Sequence, residues 1–121
     1  MTFQEVCKEL ELQNTPDWGI INSSAERVNE FIEFISEHSN LSFSIKYEFV
    51  ELIIASMNLA LLEQKYNWQL IIKFCKYVKP ILHDNKYYPF FDYWVSIKNE
   101  NEYPVGIVLE SLKDILPKPV A

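Results

Sequence analysis

Glycine is scarce in this 121-residue chain, which contains only Gly19 and Gly106. β-Sandwiches and β-barrels use glycine wherever a turn needs a positive φ angle, and nucleotide-binding α/β folds need glycine-rich phosphate loops. Two isolated glycines support neither architecture. The scarcity therefore favours helices that are joined by short polar loops.

Cysteine and histidine are equally sparse, with two of each. Cys7 and Cys75 are too few and too scattered to indicate a disulfide framework, and each falls on an apolar helical stripe, so we expect buried free thiols. His38 and His83 are expected near helix ends. No Cys or His pair has the close spacing of a zinc motif, and we therefore predict that the chain binds no metal.

Catalytic motifs are missing as well. The pair His83-Asp84 is typical of metal-dependent phosphohydrolases, but such a site needs further His and Asp ligands that this sequence does not supply. No serine is flanked by the glycines of a nucleophile elbow, and there is no phosphate-binding loop. We predict a protein that is not an enzyme and holds no cofactor.

Long apolar runs and targeting signals are also lacking. The longest apolar stretch, residues 49–62, is interrupted by Glu51 and is too short to span a bilayer. Residues 1–5 lack the basic and apolar regions of a signal peptide. The chain is nevertheless 49% apolar and 15% aromatic, which is enough for a core. We expect one cytoplasmic domain covering residues 1–121.

Apolar periodicity predicts an all-α, single-domain compact bundle of about six helices. The predicted starts are capping boxes at Thr2 with Glu5 and at Ser23-Ser24-Ala25-Glu26, N-caps at Ser44 and Asn67, and prolines at Pro89 and Pro104. The predicted ends lie near Asn14, His38, Leu62, Lys98 and Pro117 or Pro119, and Pro80 is expected either to end or to kink the fourth helix. Residues 18–22 are expected to be a connector, and a β-hairpin over residues 103–109 is an alternative to the sixth helix.

The third predicted helix, residues 45–62, is apolar on nearly every face and is expected to be the centre of the bundle. It and the fourth helix should supply the main core residues, which are Leu52, Ile53, Met57, Leu61, Phe74 and Val78.

Charge is concentrated at the start of the chain. The formal net charge is −6, and residues 1–40 alone hold eight acidic and two basic side chains, which also gives −6. An acidic surface repels nucleic acid and anionic membranes, so direct binding to either is not expected. A basic protein is the natural complement.

Four carboxylates, Glu26, Glu30, Glu33 and Glu37, follow one another at steps of four, three and four residues in the second predicted helix. This spacing places them on roughly one side of a helix. They form either an ordinary solvated face or a surface that binds a basic partner.

An aromatic segment follows at residues 87–94, with the sequence YYPFFDYW. Some of its rings must belong to the core, but they cannot all face inward from one helix. The remaining rings are either simply exposed or part of a protein–protein interface. Tyrosine and tryptophan beside acidic residues are typical interface anchors, and the candidates are Tyr87, Tyr88, Asp92 and Tyr93.

Three pieces of the sequence resemble the immunity proteins of colicin-type nucleases, small acidic helical proteins that bind a toxin's nuclease domain and block it. The similar pieces are Ser23-Ser24-Ala25-Glu26 through Phe34, Glu37 and His38, then Tyr87-Tyr88-Pro89, and finally Gly106-Ile107-Val108 with Lys113. They cover roughly a third of the chain, and residues 41–84 stand where that family has a short loop.

The resemblance implies an immunity protein whose partner is the basic nuclease domain of a bacterial toxin. Its second helix would select the partner through Glu26, Glu30, Glu33 and Glu37, while Tyr87 and Tyr88 would anchor it. The immunity proteins of contact-dependent growth inhibition systems, which are small, often acidic and diverse in fold, are a broader group that this chain resembles more closely.

A second resemblance lies in the middle of the chain. Residues 58–62, followed by Trp68, Ile72, Cys75, Val78 and a proline, are similar to one tetratricopeptide helix pair. It implies an adaptor that binds a protein or peptide. No second copy occurs at that family's period, and stable arrays need about three.

Overall fold

Seven α-helices and one 3₁₀ turn account for the regular structure in the computed structural model, which describes residues 1–115. They are α1 (Phe3–Leu10), α2 (Trp18–Ile21), α3 (Val28–Glu37), α4 (Phe43–Leu62), α5 (Trp68–Leu82), the 3₁₀ turn (Asn85–Tyr87), α6 (Tyr88–Ser96) and α7 (Pro104–Ile115). No strand is found among the described residues, and the all-α prediction of about six helices is confirmed. The additional helix is α2, a single turn where a connector was predicted.

The predicted central helix is α4, which has eleven buried residues among its 20. Residues 52–58 are buried without interruption, so every face of the helix is covered at that point. Helices α2, α3 and α7 pack against it. The rings of Trp18 and Phe34 lie with their centroids 5.4 and 5.6 Å from that of Phe49 on α4.

Ser44 was predicted as the N-cap of α4, but the N-cap is Ser42. The Ser42 hydroxyl accepts a hydrogen bond from the backbone N–H of Ile45 at 3.4 Å, and Ser44 lies inside the first turn. The helix consequently begins at Phe43, whose ring packs beside Tyr47 one turn further on.

The first capping box is confirmed, and the second is wrong. Thr2 and Glu5 exchange backbone-to-side-chain hydrogen bonds at 3.1 and 3.2 Å. Helix α3, however, begins at Val28, because a contact with α4 holds the preceding segment out of the helix: the backbone N–H of Ser24 donates to the hydroxyl of the buried Ser56 at 3.0 Å.

Helix α5 begins as predicted at the Asn67 cap, whose side chain accepts from the N–H of Leu70 at 2.8 Å. Of the two effects expected of Pro80, the end of the helix is not found, because α5 continues to Leu82. A proline leaves the carbonyl four residues earlier, here that of Lys76, without its helical donor. Lys76 and Pro80 are both exposed, so water can satisfy that carbonyl.

The core predictions hold except near the end of α4. Leu52, Ile53, Met57, Phe74 and Val78 are completely buried. Leu61 is only half-buried because it lies in the last turn of α4, next to the exposed Leu62. Of the two cysteines, Cys7 is buried and accepts a hydrogen bond from the Trp18 indole at 3.2 Å, whereas Cys75 is only partly buried.

One buried amide fixes the position of α7. The side-chain oxygen of Asn58 accepts from the backbone N–H of Val105 at 3.1 Å, and its amide donates to the carbonyl of Glu102 at 3.1 Å. A side chain of α4 thus caps the start of α7 from a distance, one residue after Pro104, the predicted first position. Residues 103–109 form no hairpin; a single antiparallel bridge joins Asn99 to Tyr103.

Gly106 allows α7 to approach α6 closely. A Cβ atom at this position would collide with the backbone carbonyl oxygen of Trp94 and lie 2.8 Å from Cβ of Lys98.

Helix α6, which has Pro89 in its first turn as predicted, ends at Ser96, two residues before the predicted Lys98. The predicted stops at Pro117 and Pro119 lie outside the described residues.

We expect Asn58→Ala to lower the free energy of unfolding by about 1–3 kcal/mol, because two buried backbone groups lose their partner. Urea denaturation followed by circular dichroism measures this change. Asn40→Ala, in an exposed turn, is the matched control and should stay within about 0.5 kcal/mol of the parent protein. Equal losses in the two variants would contradict the role assigned to Asn58.

Candidate partner-binding surfaces

The predicted carboxylate stripe is present only in part. Glu30, Glu33 and Glu37 lie exposed on α3 and, with Glu9 of α1, line a shallow groove of about 290 Å³. Glu26 is not on the helix, because α3 begins two residues after it. The predicted set of four is therefore reduced to three on one face, with a fourth acid supplied by α1.

Three of the four predicted carboxylates already have basic partners within the protein. Arg27 binds both carboxylate oxygens of Glu30, at 2.7 and 2.8 Å, through its guanidinium group. Lys73 of α5 lies 2.7 Å from Glu33, and Lys65 lies 2.8 Å from Glu26. These hydrogen bonds lower the pKa of each of the three carboxyl groups.

The stripe is therefore less negative than its sequence indicates. Lys65 and Lys73 stand 39 and 40 residues from their partners, so only the tertiary fold brings these opposite charges together. For Lys73 and Glu33 it is the packing of α5 against α3 that does so. Within the described part of the chain, Glu37 forms no ion pair.

Of the predicted aromatic anchors, Tyr87 is not available to a partner. It is buried, and its ring lies against Phe43 and Tyr47 with centroid distances of 5.4 and 6.0 Å. The 3₁₀ turn that ends at Tyr87 directs this ring into the core. Burial, with a smaller contribution from Asp84, raises the pKa of the Tyr87 hydroxyl.

The other three members of the predicted anchor set are exposed on α6. Tyr88 and Tyr93 expose 54% and 56% of their surface, and Asp92 is exposed between them. Phe91 and Trp94 take the buried positions of the same helix. The aromatic segment is thus divided between a core face and a solvent face of α6, because one helix cannot turn all of these rings inward.

A cleft of about 320 Å³ opens between α2, α4 and α6. Four aromatic rings line it: Tyr47 from α4 and Phe90, Tyr93 and Trp94 from α6. The ring centroids of Tyr47 and Phe90 are 4.4 Å apart, and those of Tyr93 and Trp94 are 5.7 Å apart at nearly right angles. Pro89 of α6 and Ile20 of α2 complete the apolar part of the lining.

Two carboxylates, Glu51 of α4 and Asp17 at the start of α2, share this cleft with the rings. Glu51 is half-buried, and its carboxylate forms no ion pair or side-chain hydrogen bond with the described residues. Burial raises the pKa of its carboxyl group, and the nearby charges of Glu48 and Asp17 raise it further. The sequence contains a signal for this residue, because Glu51 is an acid inside an otherwise apolar helix. By itself, however, that pattern indicates only an interruption of the apolar stretch and not a site residue.

Gly19 explains how Glu51 fits beside α2. A Cβ atom on Gly19 would lie 2.9 Å from Cγ and 3.0 Å from Oε1 of Glu51. The glutamate side chain therefore lies directly against the backbone of α2, and a larger residue at position 19 would push it aside.

A separate apolar patch lies where α4 is connected to α5. Trp68 is 77% exposed and Ile72 52% exposed, one turn apart on α5. Leu62 and Tyr66, at the end of α4 and in the following loop, are also exposed. The two residues of α5 belong to the tetratricopeptide-like pattern, and both face solvent instead of packing in the core.

The two sets of predicted residues do not share one pocket. Glu30, Glu33 and Glu37 line the groove between α1 and α3, whereas Tyr93 lines the cleft between α2, α4 and α6. Glu26 lies apart from both. The residues that sequence reasoning missed are Glu9 in the groove and the Asp17, Tyr47 and Glu51 side of the cleft.

The two histidines, His38 and His83, are the C-cap residues of α3 and α5. His38 follows α3, its Nδ1 lies 2.7 Å from the carbonyl of Phe34, and its ring stacks on the Phe34 ring at 4.1 Å. His83 follows α5.

The pH dependence of stability should reveal the environment of Glu51. Because its pKa is raised in the folded state, Glu51 favours folding at low pH, and this stabilisation is lost as pH rises from the unfolded-state pKa, about 4.3, through the raised pKa. Urea midpoints measured across that interval should show Glu51→Gln gaining stability relative to the parent as pH increases.

Glu30→Gln is the control of opposite sign for this measurement. Arg27 lowers the pKa of Glu30, so Glu30 stabilises the fold above its unfolded-state pKa and loses that effect as pH falls. The Gln variant should therefore fall behind the parent as pH increases. The same trend in both variants would contradict the environment described for Glu51.

Neither a metal site nor a membrane-spanning helix in the residues that the structure describes, nor a similar protein, was found that would indicate the function. Among residues 1–115, no group of three His, Cys, Asp or Glu side chains could hold a metal ion. None of the described helices combines the length and apolar character needed to cross a membrane. No protein family, curated protein or solved structure matches this chain.

Proposed function

We propose that this chain is an immunity protein that binds and neutralises a bacterial toxin, specifically the basic nuclease domain of such a toxin. The observation that carries the proposal is the solvent face of α6, where the exposed Tyr88 and Tyr93 flank Asp92 beside an acidic, aromatic cleft. Exposed tyrosines next to carboxylates are typical anchors for a basic protein surface.

The charge of the chain supports a basic partner. A nuclease holds the phosphates of its substrate with Lys and Arg, so a protein with a net charge of −6 can complement that groove. Glu37 and Glu9 face solvent in the α1–α3 groove. Glu30 and Glu33 are paired at an exposed surface, where ion pairs are weak and basic residues of a partner can replace Arg27 and Lys73.

The resemblance to immunity proteins supports the same function with one adjustment. The acidic helix that would select the partner corresponds to α3, and the anchoring motif corresponds to Tyr88 and Pro89 at the start of α6. Tyr87, which the resemblance also implied, is replaced in this role by Tyr93, because Tyr87 is buried. An immunity protein against an imported nuclease acts in the cytoplasm, touching neither nucleic acid nor membrane directly.

The apolar patch around Trp68 and Ile72 favours a second candidate function, a helical-repeat-like adaptor that binds a protein or peptide. Its exposed surface is apolar, and the exposed Lys76 follows Ile72 one turn further along α5, so the patch suits a partner other than a basic one. Peptide binding at this patch would depend little on salt, whereas association with a basic nuclease would slow sharply as salt increases.

The proposal predicts a one-to-one complex with the nuclease domain of a toxin encoded beside this protein's gene, and surface plasmon resonance measures its rate constants. Tyr93→Ala should speed dissociation by roughly thirtyfold, since an interface hot spot contributes about 2 kcal/mol or more. Glu37→Lys should slow association and weaken its dependence on salt.

Two exposed residues away from both surfaces serve as controls for that experiment. Tyr66→Ala and Glu100→Lys make the same two kinds of change, in loops that line neither the α1–α3 groove nor the cleft beside α6. Both variants should leave the association and dissociation rate constants unchanged. If the toxin binds and Tyr66→Ala is the one variant that weakens the complex, the toxin binds the apolar patch around Trp68 instead. Absence of any complex with the adjacent toxin would refute the immunity function.

A further inference from the structure

We infer that the cleft between α2, α4 and α6 is a binding site for the guanidinium group of an arginine side chain, presented by the basic protein partner. The inference deepens the proposed function by naming the place where a partner's cation is held. It rests on that function for the identity of the partner, and on the cleft alone for the chemistry of the ligand.

The aromatic lining suits a cation. The face of an aromatic ring carries negative electrostatic potential and attracts ammonium and guanidinium groups within about 6 Å of its centroid. Tyr47, Phe90, Tyr93 and Trp94 supply four rings in one cleft. A ring just outside this lining already contacts a cation: Lys86 Nζ lies 5.3 Å from the centroid of Phe43, whose ring centroid is 5.8 Å from that of Tyr47.

The carboxylates make the cation preference stronger. Glu51 and Asp17 place negative charge in a partly apolar cleft, with Glu48 nearby, and no basic side chain of the described residues pairs with Glu51 or Asp17. Partial removal of a carboxylate from water is unfavourable unless an opposite charge compensates for it. An incoming cation would supply that compensation.

Shape favours arginine over lysine. A guanidinium group is planar, stacks on aromatic rings, and forms two parallel hydrogen bonds with a carboxylate, whereas an ammonium is a strongly hydrated point charge. The volume of about 320 Å³ is at the lower end of the range for small-ligand sites, and it suits a side-chain head group with its methylene stem.

The ligand chemistry can be tested on the full chain without any partner. The probe is N-acetyl-arginine methylamide, and N-acetyl-norleucine methylamide is its uncharged counterpart. The chain has three tryptophans, whose indole N–H signals in nuclear magnetic resonance spectra report on three environments. Trp94 lines the cleft, Trp18 is buried in the core, and Trp68 lies on the separate apolar patch.

We expect the arginine probe to shift the Trp94 signal in a saturable manner and to leave the Trp68 signal in place. Glu51→Gln keeps the shape of the side chain and should weaken the arginine probe by roughly fivefold to tenfold, the effect of losing one charge-assisted contact. Glu63→Gln, which follows the far end of α4 and lines neither the groove nor the cleft, is the matched control and should bind the probe as the parent does.

Three results would overturn the ligand assignment: equal shifts at Trp94 and Trp68, equal binding of the norleucine probe, or unchanged binding by Glu51→Gln. Loss of folding does not confuse the test, because Glu51→Gln removes a partly desolvated charge and the Trp18 signal reports an intact core.

The toxin complex distinguishes this inference from the proposed function. If Glu51→Gln speeds dissociation of the toxin and binds the probe weakly, both are supported. If the probe binds but no toxin complex forms, the cation site stands and the immunity function fails. If the toxin complex forms and Glu51→Gln leaves its dissociation unchanged, the assignment of a partner arginine to this cleft fails and the immunity function stands.

Discussion

The complete burial of α4 is the constraint on which the rest of the structure depends. A helix that is apolar on every face must have neighbours on every face, and α2, α3 and α7 provide them. Only two polar side chains, Ser56 and Asn58, enter its buried stretch, and each hydrogen-bonds to a distant backbone group. These hydrogen bonds tie the segment before α3 and the start of α7 to the centre, so the polar groups of α4 position the elements that its apolar groups bury.

The cleft is a consequence of the same arrangement. Towards its N-terminal half, α4 meets the single turn of α2 and the aromatic side of α6, and Glu51 lies between them where cover is incomplete. Gly19 makes room for this side chain against α2. A carboxylate thus remains half-buried beside four rings at a place where a fully apolar residue would have closed the gap, and this combination gives the cleft its preference for a cation.

The two surfaces proposed to bind a partner differ in their physics. The groove between α1 and α3 is exposed and partly neutralised by Arg27 and Lys73, so it suits long-range attraction and exchange of ion pairs. The solvent face of α6 and the adjoining cleft offer tyrosine rings and one partly buried carboxylate, that of Glu51, which are proposed to hold a partner after contact. Attraction and retention are thereby assigned to different helices.

The sequence by itself determined the helical class, the central position of α4, most of the core, and the ends that local hydrogen bonds decide, such as the caps at Thr2 and Asn67. It could do so because periodicity and capping act over a few residues. Only the tertiary structure decided that α3 begins at Val28, that Tyr87 is buried, and that lysines some 40 residues away neutralise Glu26 and Glu33. It alone brought Asp17, Glu51 and the rings of α6 into one cleft, since contacts between distant segments depend on how helices pack and leave no local pattern in the chain.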